Sequence, residues 1–320
     1  MNSLRTILTV LFLGLLVLSA GAANSARDLL AAGRVDEAIT ALQGQISARP
    51  DNAESYNLLC RAYFSVGDWD RAVSYCDKAV HLEPNNSRYH LWLGRAFGEK
   101  ANRSSFWTAA GLAKKLRSEL ERAVALDPSN IDARTDLAEF YLEAPGIVGG
   151  GQDKARAAAA TLATMNPAKA HWVKARMAEK NKDATTAEKE YRLELETSRG
   201  SADAWLDLAL FYRRNGRLEN MEDAINRAAG VEIGRPDVLV DASETLIRAG
   251  RNFPVAIQLL RRYLSSSMVE EAPAFKAHYL LGTLLEKQGD KQSAAQEYRA
   301  SLSLARNFGR AQEALNRLGQ

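Results

Sequence analysis

Residues 53–86 read AESYNLLCRAYFSVGDWDRAVSYCDKAVHLEPNN, and this stretch determines the fold expected for the whole chain. Its two halves each carry apolar and small residues at helical spacing. The residues with this spacing are Tyr56, Leu59, Ala62, Tyr63, Ala72, Tyr75, Cys76, Ala79 and Leu82. Gly67 and Asp68 interrupt the pattern between the halves, and Pro84 ends it. The stretch therefore predicts a helix hairpin.

The intervals in this hairpin resemble the tetratricopeptide repeat, a pattern of about 34 residues with W-x2-L-G-x2-Y, then A-x3-F, then P. The matching positions are Tyr56, Leu59, Cys60, Tyr63, Ala72, Cys76, Ala79 and Pro84. Cys60 stands where the family prefers glycine. Because one hairpin cannot bury its apolar face alone, the pattern predicts that hairpin stacks on hairpin.

Further copies of the pattern follow one another along the chain, with a partial first copy that we expect to act as an N-terminal cap. The resemblance implies an all-α fold, a right-handed superhelical solenoid of about eight helix hairpins over residues 23–306. Residues 307–320 are predicted to form a C-terminal capping helix with a polar outer face.

The N-terminal residues 1–22 are typical of an export signal. Arg5 precedes an apolar run from Ile7 to Leu18, and Ala20 and Ala22 form an A-x-A cleavage site. The alternative is an uncleaved membrane anchor, although the run is shorter than the roughly 20 residues needed to span a bilayer. We therefore expect an exported protein, periplasmic or extracellular, with membrane contact only through an uncleaved N-terminal segment.

Two repeats carry insertions between their helices. Pro84 and Pro128 are 44 positions apart, and the added residues, at about 100–112, predict a second helix lengthened by two or three turns. In the next repeat, residues 144–153 contain Pro145 and a glycine run that favour a loop. Turns of neighbouring repeats lie side by side, so the insertions are expected to form a candidate binding patch of Phe106, Trp107, Ile147, Val148, Gly149, Gly150 and Gly151. The alternative is that the loop packs on the long helix.

The resemblance also implies that the first helix of each hairpin lines a concave groove that binds peptides or partner proteins. By position, the groove residues would be Asn57, Arg61, Phe64, Arg88, Leu91, Arg95, Thr135, Glu139, Trp172, Arg176, Leu206, Leu210, Arg213, Val240 and Tyr279. Several are arginines near aromatic residues, which suits an acidic extended peptide or an anionic polymer. Alternatively, Arg61, Arg95 and Arg176 pair with acids on adjacent helices.

Catalytic and metal-binding patterns are missing from the sequence. The four histidines, His81, His90, His171 and His278, fall in separate repeats without a second ligand at metal spacing. The sequence contains neither G-x-S-x-G nor a P-loop. We therefore expect no catalytic centre, no metal and no cofactor.

Charged residues give two further expectations. With 42 Lys and Arg against 39 Asp and Glu, the net charge of +3 does not indicate a nucleic-acid partner. The adjacent Glu270 and Glu271 lie in a predicted linker, which they are expected to keep solvated.

Cys60 and Cys76 lie at inward positions on the two helices of one hairpin. Export permits a disulfide if their Cα atoms come within about 7 Å. The geometry of the family points position 60 at the partner helix and position 76 toward the next repeat, which favours two buried free thiols.

These patterns predict a non-enzymatic scaffold or adaptor in the cell envelope that binds a protein or peptide in the groove. Three alternatives remain: a binder of peptidoglycan or exopolysaccharide, a membrane-anchored assembly factor, and an enzyme that uses the insertion patch.

Overall fold

The computed structural model describes residues 26–231, 235–266 and 268–319, and these residues form helices joined by turns without any strand. The predicted signal peptide, residues 1–22, lies outside the described residues. After α1 (residues 26–31) the helices are α2 (Val35–Ala48), α3 (Ala53–Val66), α4 (Trp69–Leu82), α5 (Ser87–Ala101), α6 (Phe106–Leu126), α7 (Ile131–Glu143), α8 (Gln152–Met165), α9 (Pro167–Lys180), α10 (Ala184–Thr197), α11 (Ala202–Arg214), α12 (Leu218–Gly230), α13 (Val238–Ala249), α14 (Phe253–Leu264), α15 (Ala274–Lys287), α16 (Lys291–Leu304) and α17 (Gly309–Arg317). Among the described helices, none has both the length and the apolar character needed to span a bilayer.

From α3 onward these helices pair as seven successive antiparallel hairpins, α3 with α4 through α15 with α16, followed by α17. A hydrogen-bonded turn at Gly33 joins α1 to α2, and both helices contribute to one buried cluster, which gives a first hairpin. The eight hairpins confirm the all-α repeat solenoid. The ends of the helices are set by local sequence. α3 stops at Gly67, which has a φ of +81°, and the next residue, Asp68, caps α4 by accepting a hydrogen bond from the Arg71 backbone N–H. Asn52, Asn130, Asp183 and Asp290 cap other helices in the same way.

Within a hairpin the helices approach closely at the position that the family gives to glycine. A Cβ at Gly94 would lie 3.3 Å from Leu120, and one at Gly282 would lie 2.7 Å from the Tyr298 ring. Both glycines are on the first helix of their hairpin and face the second. Only a very small side chain fits there without displacing the neighbouring helix.

Cys60 occupies that same position in α3, and it forms a disulfide with Cys76 of α4. The prediction of two free thiols was therefore wrong. Position 76 corresponds to Leu120 and Tyr298 in the other hairpins, and these residues face the first helix rather than the next repeat. The close approach brings the two cysteine Cα atoms to 5.1 Å, within disulfide range.

The two insertions have the predicted forms. α6 contains 21 residues against 14 in α4, so the first insertion extends the second helix by two turns at its N-terminus. Ser105 holds the N-cap position, but its side chain makes no capping hydrogen bond. The second insertion is a loop with one short 3-10 turn, Gly146–Val148.

The two ends of the solenoid touch, a feature that the repeat pattern did not predict. Ala26 and Leu30 of α1 share one buried cluster with Phe275, Phe308 and Ala311 from the C-terminal end. The carboxylate of Asp36 accepts a hydrogen bond of 2.9 Å from the Arg306 backbone N–H. The predicted capping helix α17 is therefore part of a core shared with the first repeat.

Substitution of Gly33 tests this closure. A Cβ there would lie 2.6 Å from the Ala274 backbone nitrogen, whereas Gly216, which has the same φ of +70°, has nothing within 4 Å. We expect Gly216→Ala to cost about 1 kcal/mol through backbone strain. Gly33→Ala should cost about 1 kcal/mol more and increase the radius of gyration, because the added methyl separates the first and eighth repeats. Equal losses in chemical denaturation and unchanged X-ray scattering would contradict the closure.

Candidate functional site

The inner face of the solenoid holds a cleft of about 1000 Å³, which we call the inner cleft. Its walls come from α3, α5 and α7, from the long helix α6, and from the insertion loop. Residues 268–273, the strap, also contribute to it. Apolar residues that line the cleft are Phe64, Trp92, Phe106, Leu116, Phe140 and Ile147. A second cleft of about 900 Å³ adjoins it and shares Arg61, Trp92, Arg95 and Glu271 with it.

Trp92 lies at the junction of the two clefts. The guanidinium carbons of Arg61 and Arg95 lie 4.9 and 5.2 Å from the centre of its ring, and Phe64 packs edge-on against it at 5.5 Å. Cation–π contacts of this kind hold the aromatic and basic side chains in fixed positions. The junction is thus ordered by contacts within the chain.

Both of these arginines are paired with carboxylates. The Nε and Nη2 atoms of Arg61 donate to the two oxygens of Glu270 at 2.6 and 2.5 Å, and Arg95 Nε donates to Asp136 at 2.6 Å. Arg61 is 7% exposed and the Glu270 side chain 15%, so the expectation of a solvated Glu270 was wrong. It failed because the strap lies across the groove. Glu271, in contrast, is exposed.

Other predicted groove residues are also engaged within the chain. Arg176 pairs with Glu143 and Glu179, as the alternative interpretation expected. Trp172 Nε1 donates to Asp207 at 3.2 Å.

The predicted groove residues do not form one cluster. Asn57, Leu91, Leu206 and Val240 are buried, and Thr135, Leu210 and Arg213 are half-buried. Tyr279 packs on Tyr298 and Phe308. The two clefts bring together Arg61, Phe64, Arg88, Leu91, Arg95 and Glu139. Their role in binding stays a prediction.

The insertion patch divides into a buried and an exposed part. Val148 is buried against α6, and its carbonyl accepts a hydrogen bond of 3.3 Å from Arg117. Phe106, Trp107 and Ile147 are 72%, 82% and 78% exposed, far more than other large apolar side chains in the described residues. Phe106 and Ile147 line the mouth of the inner cleft. The loop therefore packs on the long helix, and Phe106 and Ile147 remain exposed as an apolar rim at the mouth of the inner cleft.

The glycine run forms a compact hydrogen-bonded turn. The Gly149 and Gly151 backbone N–H groups donate to the carbonyls of Gly146 and Tyr141, at 2.9 and 2.7 Å. A Cβ at Gly150 would lie 1.8 Å from the Ala144 carbonyl oxygen. Glycine is needed at position 150 because the chain passes so close to itself.

Several cleft residues escaped the sequence reasoning. Trp92 directly precedes Leu93 and Gly94 and falls at an unspecified position of W-x2-L-G, so the repeat pattern gives it no role, and Glu270 and Glu271 were assigned to a solvated linker. Asp136 precedes the core residue Leu137 and matches no motif. A signal for Asp136 was its place on the first helix of a repeat, next to the predicted groove position Thr135.

The described residues contain no group of three side chains that could hold a metal ion. His90, His171 and His278 each lie 2.6 to 2.7 Å from a glutamate on the second helix of the same hairpin. These contacts tie the two helices together. Their repeated form indicates a structural role for the three histidines.

The pKa values of two glutamates on α10 are shifted in opposite directions. Although partial burial opposes it, hydrogen bonds from Arg217, Arg192 and Tyr212 lower the pKa of Glu188 to about 2. Burial, reinforced by the charge of Asp207, raises the pKa of Glu194 to about 10. Glu194 is therefore protonated in the folded chain at neutral pH. In the unfolded chain its pKa would be about 4.3, the usual value for a free glutamate.

We expect Glu194→Gln to raise the melting temperature at about pH 8 and to change it little at about pH 4. The stabilising contribution of protonated Glu194 is complete below its unfolded pKa and is lost as the pH rises toward about 10. Glu188→Gln is the control of opposite sign. Its carboxylate stabilises the fold above its unfolded pKa and stops doing so as the pH falls toward about 2, so this variant should melt lower at about pH 8. A lower melting temperature for Glu194→Gln at that pH would contradict the assignment.

Comparison with known proteins supports the repeat architecture. Three tetratricopeptide repeat models match residues 29–95, 202–232 and 241–311. A thermophilic tetratricopeptide repeat protein of Thermus thermophilus is 18% identical over 60% of this chain and 97% of its own, with a TM-score of 0.50. One from Parabacteroides merdae is 18% identical over 84% of this chain and 99% of its own, with a TM-score of 0.42. No curated protein matches the sequence.

Proposed function

Because the chain belongs to the tetratricopeptide repeat family, we propose that it is a non-enzymatic scaffold that binds a segment of a partner protein in the inner cleft. Repeats of this family generally mediate protein–protein interaction and are generally not catalytic. A fold of this kind supplies a surface, and the residues on that surface determine what it binds.

The observation that carries the proposal is the combination of a large cleft with an exposed apolar rim. The cleft volume of about 1000 Å³ is at the upper end for ligand pockets and suits several consecutive side chains of a peptide. Phe106 and Ile147 at its mouth leave most of their surface in water. Large exposed aromatic and aliphatic side chains beside a cleft are typical of binding surfaces.

We further propose that the protein works outside the cytoplasm, in the cell envelope. The apolar N-terminal segment of residues 7–18 after Arg5 supports export. The Cys60–Cys76 disulfide supports it independently, since disulfides persist mainly in oxidising compartments. Fractionation of the native organism, followed by detection of the chain with an antibody, tests this location. Recovery in the cytoplasm with both thiols open to alkylation would overturn it.

A crosslinking pull-down from the envelope fraction tests the binding site. The variant Phe106→Ser with Ile147→Ser removes the rim without touching the core, because both side chains are exposed. Met165→Ser is the matched control, since Met165 is also an exposed large apolar residue but lies at the end of α8, outside the cleft.

We expect partners captured by the wild type and by Met165→Ser to be lost from the rim variant. Capture of the same partners by all three would place binding elsewhere on the chain. Recovery of peptidoglycan or polysaccharide fragments in place of protein would favour the envelope-polymer alternative and overturn the proposal.

A further inference from the structure

The charges that line the inner cleft are unbalanced. Six carboxylates and three basic residues contribute to its walls: Glu99, Asp136, Glu139, Glu143, Glu270 and Glu271, with Arg61, Arg95 and Lys276. The whole chain, by contrast, carries a net charge of +3. An attraction of this protein for cations would therefore be local to the cleft.

Ion pairs within the chain already satisfy the two arginines. Arg61 is bound by Glu270, and Arg95 by Asp136. Burial lowers the pKa of Lys276, the third basic residue, so it is a weaker counterion than an exposed lysine. Both arginines of the cleft are thus already occupied by carboxylates of the chain, and Lys276 is the one of these three basic side chains that forms no ion pair among the described residues.

Three carboxylates remain without a basic partner at ion-pair distance among the described residues: Glu99, Glu139 and Glu271. Glu139 lies on α7 between Asp136 and Glu143, so three acidic side chains follow one another at helical spacing. Its position inside the cleft, where protein displaces water, and the charge of Asp136 raise the pKa of Glu139. A cation placed here would relieve an existing repulsion.

Apolar surface lies beside these carboxylates. Phe64, Phe140 and Leu116 line the same cleft, and Phe106 and Ile147 form its rim. A ligand that contacts both parts needs large apolar side chains next to positive charges. An acidic peptide would instead place its carboxylates against Glu139 and Glu271, with no unpaired arginine in the cleft to receive them.

We propose that the inner cleft binds a basic, apolar segment of a partner protein, in which lysine or arginine side chains alternate with large apolar ones. This inference rests on the proposed function and assigns the partner a charge opposite to that suggested by the groove arginines. The carboxylates of Glu139 and Glu271 pair with the basic side chains of the segment, and its apolar side chains pack against Phe64, Phe140 and Leu116. The chemistry is that of an amphipathic cationic peptide.

Three synthetic peptides test the charge. They share one length and one set of leucine positions, and carry lysine, glutamate or serine at every other position. Isothermal titration of the full chain at physiological ionic strength is expected to show the lysine peptide binding at least about tenfold more tightly than the others.

The variant Glu139→Gln with Glu271→Gln should weaken binding of the lysine peptide at least about tenfold. The control is Glu196→Gln with Glu313→Gln, which makes the same change in net charge at two exposed positions outside the cleft and should leave the affinity unchanged.

The outcomes separate this inference from the proposed function. Tighter binding of the glutamate peptide, or equal loss in both double variants, overturns the assignment of charge. If no peptide binds while the rim variant Phe106→Ser with Ile147→Ser still loses its partners, the inference of a basic segment is overturned and the cleft remains the proposed binding site. If no peptide binds and the rim variant keeps its partners, both the basic partner segment and binding in the inner cleft are overturned.

Discussion

The variant Glu270→Gln is expected to unfold with a free energy about 3 kcal/mol below that of the wild type. The substitution removes the charge that pairs with Arg61, a guanidinium only 7% exposed, and leaves that guanidinium buried beside a neutral amide. A buried charge without its counterion is far more costly than the absence of both partners. Guanidinium-chloride denaturation followed by circular dichroism measures the loss.

The same substitution should also loosen the closed solenoid. Glu270 belongs to the strap between the seventh and eighth repeats, whereas Arg61 is in the second repeat. The pair therefore connects elements that are far apart in sequence. We expect X-ray scattering of Glu270→Gln to show a larger radius of gyration.

Two controls isolate the ion pair. Glu271→Gln changes the neighbouring residue of the strap, which is exposed and forms no ion pair in the described part of the chain, and should change stability by less than about 0.5 kcal/mol. Arg61→Met combined with Glu270→Leu should recover much of the loss, since apolar residues can replace a buried pair. Equal stability of the Glu270 and Glu271 variants would show that the pair contributes nothing to the fold.

Much of this architecture could be predicted from local sequence because a repeat protein is built from nearest-neighbour contacts. The spacing of Tyr56, Leu59 and Tyr63 defines a helix face, and Gly67 with Asp68 sets the turn. The long α6 followed in the same way from ten extra residues rich in helix formers. None of these inferences required knowledge of distant contacts.

The closure of the solenoid could not be predicted on the same basis. Contact between Gly33 and Ala274 depends on the curvature accumulated over all eight hairpins, and no residue of either repeat encodes that curvature alone. The strap illustrates the consequence, since Glu270 looks like part of a solvated linker until the second repeat is placed beside it.

The candidate site was predictable as a surface but not in its chemistry. The position of Arg95 on the first helix of a hairpin placed it on the inner face, as the family pattern implies. Its partner Asp136 lies 41 residues further along the chain, in the next hairpin. An arginine that is already paired is not free to bind a ligand. Whether it is paired depends on contacts between different hairpins, which the local sequence does not show.

Replacing both Cys60 and Cys76 with alanine is expected to lower the free energy of unfolding by about 3 kcal/mol. The disulfide closes a loop with a sequence separation of 16, and its loss enlarges the unfolded ensemble of the second hairpin. Because repeat arrays respond locally, amide hydrogen exchange should accelerate most in α3 and α4 and least in the distant α11 and α12. The reduced wild type is the matched control and should reproduce most of this loss.

Burial of the two sulfurs adds a kinetic expectation to that comparison. Both cysteines are inaccessible to solvent in the folded chain, so a reductant reaches them only when the hairpin opens. Reduction should therefore accelerate with denaturant well below the unfolding midpoint. If the alanine variant matches the oxidised wild type in stability and in exchange, the disulfide does not stabilise the second hairpin. Evidence that the bond forms in an oxidising compartment would then have to come from thiol labelling in cells.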